Sequence, residues 1–124
     1  MPSYISFRSA LSKYGIISEV PYVLEMAAIK STRRRVIGGV EVLYRKMKKQ
    51  FFFGYALKNG VFIAEPEKAF LDILYMKVTG KDKGFDPAKA DLSRLDRKKL
   101  MKYAKAFPDR VKSEIRKYLK DAPE

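Results

Sequence analysis

The sequence predicts a single α+β domain in which a small antiparallel sheet of two hairpins packs against a central helix and two C-terminal helices. Three observations carry that expectation. Two turn signals, Gly38-Gly39 and Lys58-Asn59-Gly60, each separate runs rich in β-branched and aromatic residues. A strongly apolar stretch of helical period follows the second of them, after a Glu65-Pro66-Glu67 start. Strands precede most of the helices with no βαβ alternation, which argues against a doubly wound parallel sheet.

Taken in order, Ser6 is placed to cap a first helix, with Phe7, Ala10, Leu11 and Tyr14 at i, i+3, i+4 and i+7 and Gly15 positioned to end it. Val23 to Ile29 reads as a strand of mixed β-branched and apolar residues. Thr32 to Lys46 reads as the first hairpin, because Gly38-Gly39 tolerates the positive φ angles of a two-residue turn. Val40, Val42 and Tyr44 then share one face, and Glu41, Leu43 and Arg45 the other. The second hairpin runs from Phe51 to Leu57 and from Val61 to Ala64, and its Asn-Gly pair is the strongest short-range hairpin cue. Pro66 suits the first position of the central helix, and acidic groups there meet the positive end of the helix dipole. Phe70, Leu71, Ile73, Leu74, Tyr75 and Val78 supply its apolar stripe, and Gly80 stops it. A flexible stretch is expected from Gly80 to Pro87. Asp96 then caps a helix from about Arg97 to Ala106, Pro108 breaks it, and a last helix spans Asp109 to Lys120.

Composition narrows the chemistry. The 124 residues contain no His, Cys or Trp. Imidazole- or thiolate-based triads and zinc sites therefore cannot be assembled from this chain alone, and no metal or cofactor is expected. At this length a fold buries roughly two-thirds of the surface of the unfolded chain, enough for one core without disulfides. A reducing cytosol suits a chain without cysteine. No apolar run approaches the ~18 residues of a membrane span, and Met1 to Ser12 lacks the pattern of a secretory signal. A cytoplasmic protein without membrane contact is expected. The net charge of +13, from 27 Lys plus Arg against 14 Asp plus Glu, is carried by both halves. Such a field attracts nucleic acid or an acidic protein face. The competing reading is a solvated Lys-rich surface, although heat-adapted surfaces usually balance Lys with Glu.

The candidate functional surface is Arg33, Arg34 and Arg35, joined across the Gly-Gly turn by Arg45, Lys46, Lys48 and Lys49. Guanidinium forks match phosphate and carboxylate geometry, and the adjacent Phe51, Phe52, Phe53 and Tyr55 could stack bases if exposed. The competing reading puts the rings in the core and uses the cations to protect an edge strand. A second basic surface, including Lys98, Lys102, Lys105, Arg110, Arg116 and Lys117, alternates with Leu100, Ala104, Val111 and Ile115 and reads as the solvated face of amphipathic helices. Glu65, Glu67 and Asp72 with Lys68 do not have the spacing of a metal-dependent nuclease. Phosphate-cradling glycine motifs are absent from the sequence.

Three segments in order resemble the C-terminal domain of AbiEi-family antitoxins, from the AbiE type IV toxin-antitoxin systems of bacteria and archaea. They are Pro2 to Leu11 with Tyr14-Gly15-Ile16-Ile17 and Glu19; Phe52-Phe53-Gly54-Tyr55 with Ile63 to Tyr75; and Leu92 to Leu95 with Leu100, Tyr103, Ala104, Phe107 and Val111. The middle segment, similar to the family's strand leading into an Ala-x-Pro-Glu-Lys-Ala helix, is the most specific. The resemblance implies a non-enzymatic antitoxin that counters a nucleotidyltransferase-fold toxin, either by direct contact or by opposing it at a target such as RNA. Tyr4, Ser6, Gly54, Pro66, Glu67, Lys68 and Asp72 are its motif positions here, and a structural role is expected for them. Lys68 and Asp72 have i,i+4 spacing for an ion pair, in the weaker orientation. The family's usual winged helix-turn-helix does not precede this region. Either the chain is free-standing or it belongs to a longer product, and transcriptional regulation would need DNA binding by the basic surface or by a separate protein.

Overall fold

Both predicted hairpins form, yet they do not lie side by side. A computed structural model describes residues 2–119. The chain runs β1 (Ser3–Ile5), α1 (Phe7–Lys13), β2 (Leu24–Ala28), β3 (Arg33–Ile37), β4 (Val40–Lys46), a 3-10 turn (Lys49–Phe51), β5 (Tyr55–Lys58), β6 (Val61–Ala64), α2 (Pro66–Val78), two 3-10 turns (Pro87–Lys89 and Leu92–Arg94), α3 (Arg97–Ala104) and α4 (Asp109–Leu119). The class is α+β, as predicted. The sheet is larger than expected and mixed, with six strands in the order β3-β4-β2-β1-β6-β5.

This corrects the expectation of two hairpins in a purely antiparallel sheet. The hairpins β3-β4 and β5-β6 are antiparallel, as is β1-β2, but β2 pairs parallel with β4 and β1 parallel with β6. β1 joins the halves, setting Tyr4 opposite Ala27 and Ile5 opposite Ile63. A strand of three residues is too short to carry a readable alternation. Both turns take the left-handed conformations their residues allow, with φ of 57° and 81° at Gly38 and Gly39, and 51° and 80° at Asn59 and Gly60. The second hairpin is shorter than predicted, because residues 51–54 leave the strand: Phe51 ends a 3-10 turn and is buried, and Gly54 turns the chain into β5 at φ 68°.

Ser6 precedes α1 but does not cap it with its side chain. Its hydroxyl is spent on Asp72, and the amide of Arg8 donates instead to Glu25 Oε1 on β2 at 2.9 Å. One of the helix's orphan N–H groups is thus satisfied from a neighbouring strand. Ser9 adds to the same junction, accepting the Glu25 amide at 2.8 Å.

α2 is buried along ten consecutive residues, Glu67 to Met76, rather than along one stripe. A helix enclosed on all sides normally reads apolar all round. This one encloses Glu67, Lys68 and Asp72 as well, so each needs an internal partner. α1, α3, α4 and β6 surround it. Leu100 and Ala104 of α3, and Val111 and Ile115 of α4, face inward at i,i+4 spacing. α3 ends two residues before the predicted Ala106, and the predicted end at Lys120 lies outside the described residues. Segment 80–87, expected to be flexible, is anchored through Asp82. Among the described residues no helix is long and apolar enough to cross a membrane.

A candidate partner-binding edge and a buried polar centre

The sheet ends on β3, and all five of its residues are exposed. The register places Arg33 opposite Tyr44 and Arg35 opposite Val42, so these two arginines share a face, while Arg34 opposite Leu43 points to the other. Arg34 Nη1 lies 2.6 Å from Glu41 Oε1, an exposed cross-strand pair. Lys46, Lys48 and Lys49 are exposed at and beyond the end of β4, where the Lys46 amide donates to Thr32 Oγ1. Six of the seven predicted basic residues are therefore exposed, but only Arg33, Arg34 and Arg35 lie on the edge strand, with Lys46 at the end of the neighbouring β4. Lys48 and Lys49 follow Met47, whose amide donates to the Ala28 carbonyl of β2 at 2.8 Å, on the side of β4 away from the edge.

Arg45 is the exception. Its side chain is 13% exposed, over the Phe7 ring at 5.2 Å, and it donates to Asp82 Oδ2 at 3.0 Å while lying 3.5 Å from Glu25 Oε2. On β4 it falls on the face opposite Val42 and Tyr44, as the alternation predicted, and that face is occupied by α1. Arg45 is removed from the candidate surface. Arg8 reaches the same carboxylates and holds Asp82 with two nitrogens.

Burial alone would raise the Asp82 pKa, but the hydrogen bonds from Arg8 and Arg45 outweigh it and hold the carboxyl at about 2. A depressed carboxylate lends stability that is complete above its ordinary value of 3.8 and is lost as pH falls through about 2. The melting-temperature gap between the unmodified chain and Asp82→Asn is therefore expected to be wide at neutral pH and to close between about pH 4 and 2, as read by thermal melts across that range. Glu25, which burial pushes up despite Arg45 and Arg8, contributes in the opposite sense, and less so in Asp82→Asn, because the Asp82 charge also raises it. Beside this network an open pocket of about 290 Å³ is lined by residues that include Arg8, Glu19, Phe85, Asp86 and Lys89. Its charges are mixed, and Arg8 is already committed to Asp82.

The second feature is internal. Lys68 Nζ donates to Asp72 Oδ1 at 2.5 Å and to the Tyr4 hydroxyl at 2.7 Å. Tyr4 Oη and Ser6 Oγ donate in turn to Asp72 Oδ2 at 2.9 and 2.7 Å. Tyr4, Ser6, Lys68 and Asp72 are all fully buried. The ammonium also lies 5.1 Å from the ring centres of Tyr4 and Phe53 and 5.6 Å from that of Phe107, an aromatic enclosure that suits a cation. Burial lowers the Lys68 pKa and raises that of Asp72, each shift being opposed by the partner's charge. Burial and Asp72 together push the Tyr4 hydroxyl up. Among the described residues no buried side-chain nitrogen or oxygen lacks a hydrogen-bond partner.

The other motif positions surround this centre. Gly54 packs against the Lys68 stem and the Tyr103 ring. Pro66 opens α2. Glu67 Oε2 accepts the Asp96 amide at 2.8 Å, so its carboxylate, read from sequence as a favourable charge on its own helix, also fixes the start of α3. Glu65 accepts from Lys99 Nζ at 2.8 Å and Tyr103 Oη at 2.6 Å. Partial burial pushes Glu65 up, but these two bonds outweigh it and hold the carboxyl below its usual value. Glu65, Glu67 and Asp72 thus face three different partners. Among the described residues no group of three or more acidic side chains could hold a metal ion.

Sequence reasoning missed two sets of residues. Arg8, Glu25 and Asp82 are separated along the chain, and only Arg8 falls within a motif segment, with no role read for it there. Leu57, Val61 and Phe62 are exposed on the β5-β6 hairpin, beside Tyr55, the one ring of the expected stacking group that is also exposed. Tyr55 stacks on Tyr4 at 4.7 Å and meets Phe62 edge-on at 5.8 Å. Alternation predicts Tyr55 and Leu57 on one face, but nothing local reveals that Tyr55 packs on Tyr4 while Leu57 and its register partner Phe62 stay exposed. No family model, curated protein or solved structure matches this chain.

Proposed function

We propose that the chain is a non-enzymatic antitoxin that counters a nucleotidyltransferase-fold toxin in the cytoplasm, with the arginine edge as its working surface. The observation that carries the reading is that the sheet ends on an exposed strand bearing Arg33, Arg34 and Arg35, with exposed Lys46 at the end of the neighbouring β4. A concentrated cationic edge suits an acidic partner or a polyanion, and it favours fast, salt-sensitive encounter. The resemblance to AbiEi antitoxins supplies the toxin class. It gains support from the way Tyr4, Ser6, Gly54, Lys68 and Asp72, quoted for that resemblance and far apart in sequence, gather around one buried centre.

The test is growth of cells expressing a nucleotidyltransferase-fold toxin of this system with and without the chain. Rescue is expected. No rescue, with active toxin and folded chain, contradicts the reading. A second reading, a free-standing single-stranded nucleic-acid-binding protein, is favoured by the exposed rings of Tyr55 and Phe62 on a chain of net charge +13. It predicts that log affinity falls by about 0.7 per phosphate contact for each log unit of salt.

A further inference from the structure

We infer that β3 is a strand-addition site, at which an extended segment of a protein partner, acidic in one half and apolar in the other, pairs as a seventh strand. This rests on the arginine edge being the working surface. The two-residue turn makes Ile37 and Val40 the closing hydrogen-bonded pair of the hairpin. By alternation, Arg33, Arg35 and Ile37 then direct their backbone groups to β4, while Arg34 and Val36 direct theirs to the outer side. Among the described residues no strand of the sheet lies beyond them.

Edge strands in stable proteins are blunted by charged side chains, proline, bulges or a covering segment; on β3 the arginines repel neutral or basic strands but admit an acidic one. β3 contains no proline and pairs with β4 in unbroken register over all five residues. Its side chains divide into two halves. Arg33, Arg34 and Arg35 occupy the first, and Val36, 73% exposed, and Ile37, 52% exposed, the second, with Val40 of β4 beside Ile37. Phosphates would match the arginines and leave the β-branched pair without a contact. A peptide strand matches both halves, because opposite charges and β-branched pairs across neighbouring strands each stabilise pairing. A second copy of this chain fits less well, since a symmetric antiparallel pairing centred on Arg35 sets the two Arg35 side chains opposite each other and leaves Arg33 and Arg34 opposite Ile37 and Val36, with no opposite charge to meet.

The probe is a fluorescein-labelled peptide of two valines followed by three glutamates, flanked by threonines, together with a twin N-methylated along one backbone edge at alternate residues. Fluorescence anisotropy is expected to give saturable binding of the first peptide and a loss of about tenfold or more for the twin, which has the same charge but cannot complete the ladder. Val36→Pro, which removes an outward N–H and keeps every arginine, is expected to give a similar loss, since proline is tolerated on a strand edge facing solvent. Equal affinity for the two peptides overturns strand addition in favour of simple charge attraction. Failure of the peptide alongside binding of an oligothymidine overturns it in favour of nucleic acid. A concentration-dependent dimer abolished by Val36→Pro overturns it in favour of a second copy. The growth assay separates the two levels of the argument. Rescue kept by folded Val36→Pro but lost on changing Arg33, Arg34 and Arg35 to Ala overturns strand addition and leaves the arginine surface standing, whereas rescue kept by both overturns the surface reading itself.

Discussion

Replacing Asp72 with alanine is expected to destabilise the fold by about 3–5 kcal/mol, a fall in melting temperature on the order of 10–20 °C for a domain of this size. The carboxylate accepts from Lys68, Tyr4 and Ser6, all fully buried, so its loss leaves three donors without their acceptor. Lys68 suffers most. It retains the Tyr4 oxygen and the rings of Tyr4, Phe53 and Phe107, but cation-π contacts of about 0.5–2 kcal/mol do not replace a buried counter-ion. Lys68→Met is expected to be milder, because Asp72 keeps Tyr4 and Ser6 as donors and burial already favours its neutral form. The double variant Lys68→Met, Asp72→Leu is expected to recover much of the loss, as apolar pairs often replace buried ion pairs. A double-mutant cycle of Lys68→Met, Asp72→Leu and the two combined, measured in denaturant, reads the coupling. A shift of only a few degrees for Asp72→Ala contradicts this account of the centre. Since the centre is sealed from solvent, antitoxin activity and stability are expected to fall together in these variants. Lost rescue at an unchanged melting temperature in Lys68→Ala would instead assign the pair a direct part in function.

Gly54→Ala is expected to cost about 2–5 kcal/mol. A Cβ there would lie 3.0 and 3.1 Å from Cγ and Cβ of Lys68 and 3.2 Å from Cε2 of Tyr103, and the backbone sits at φ 68°. The left-handed backbone alone costs about 1–2 kcal/mol, and crowding a packed interior typically adds about 1–3. The carbons it meets belong to the root of Lys68, whose far end is pinned to Asp72 and Tyr4, so they cannot swing away. Gly38→Ala separates the two contributions, since its φ is also positive, at 57°, but nothing lies within 4 Å of the added carbon. It is expected to cost only the backbone share, about 1–2 kcal/mol. Equal losses at the two sites would remove the packing argument.

The elements legible in the sequence were those specified by local chemistry. Gly38-Gly39 and Asn59-Gly60 can take left-handed turns at little cost, and Pro66 with the apolar period after it sets α2. The sheet order was not legible, because it depends on Ser3–Ile5, a strand of three residues that gains its place only by pairing with β2 and β6. The same limit holds for the candidate site. Arg33, Arg34 and Arg35 are exposed because β3 is an edge, and composition alone could not separate them from Arg45, which shares their charge and faces Asp82. Strand alternation did separate Arg45 from Val42 and Tyr44, but that signal counts only once α1 is known to cover its face. Ser6 illustrates the converse. Its spacing suits a helix cap, and a carboxylate 66 residues away takes its hydroxyl instead.

The central claim, that the arginine edge is the working surface of an antitoxin, is tested most directly by one paired measurement on the variant with Arg33, Arg34 and Arg35 all changed to Ala: its melting temperature and its ability to rescue cells from the toxin. All three side chains are exposed, so the melting temperature is expected to stay within a few degrees of the unmodified chain, while rescue is lost. Full rescue by the folded variant would contradict the account.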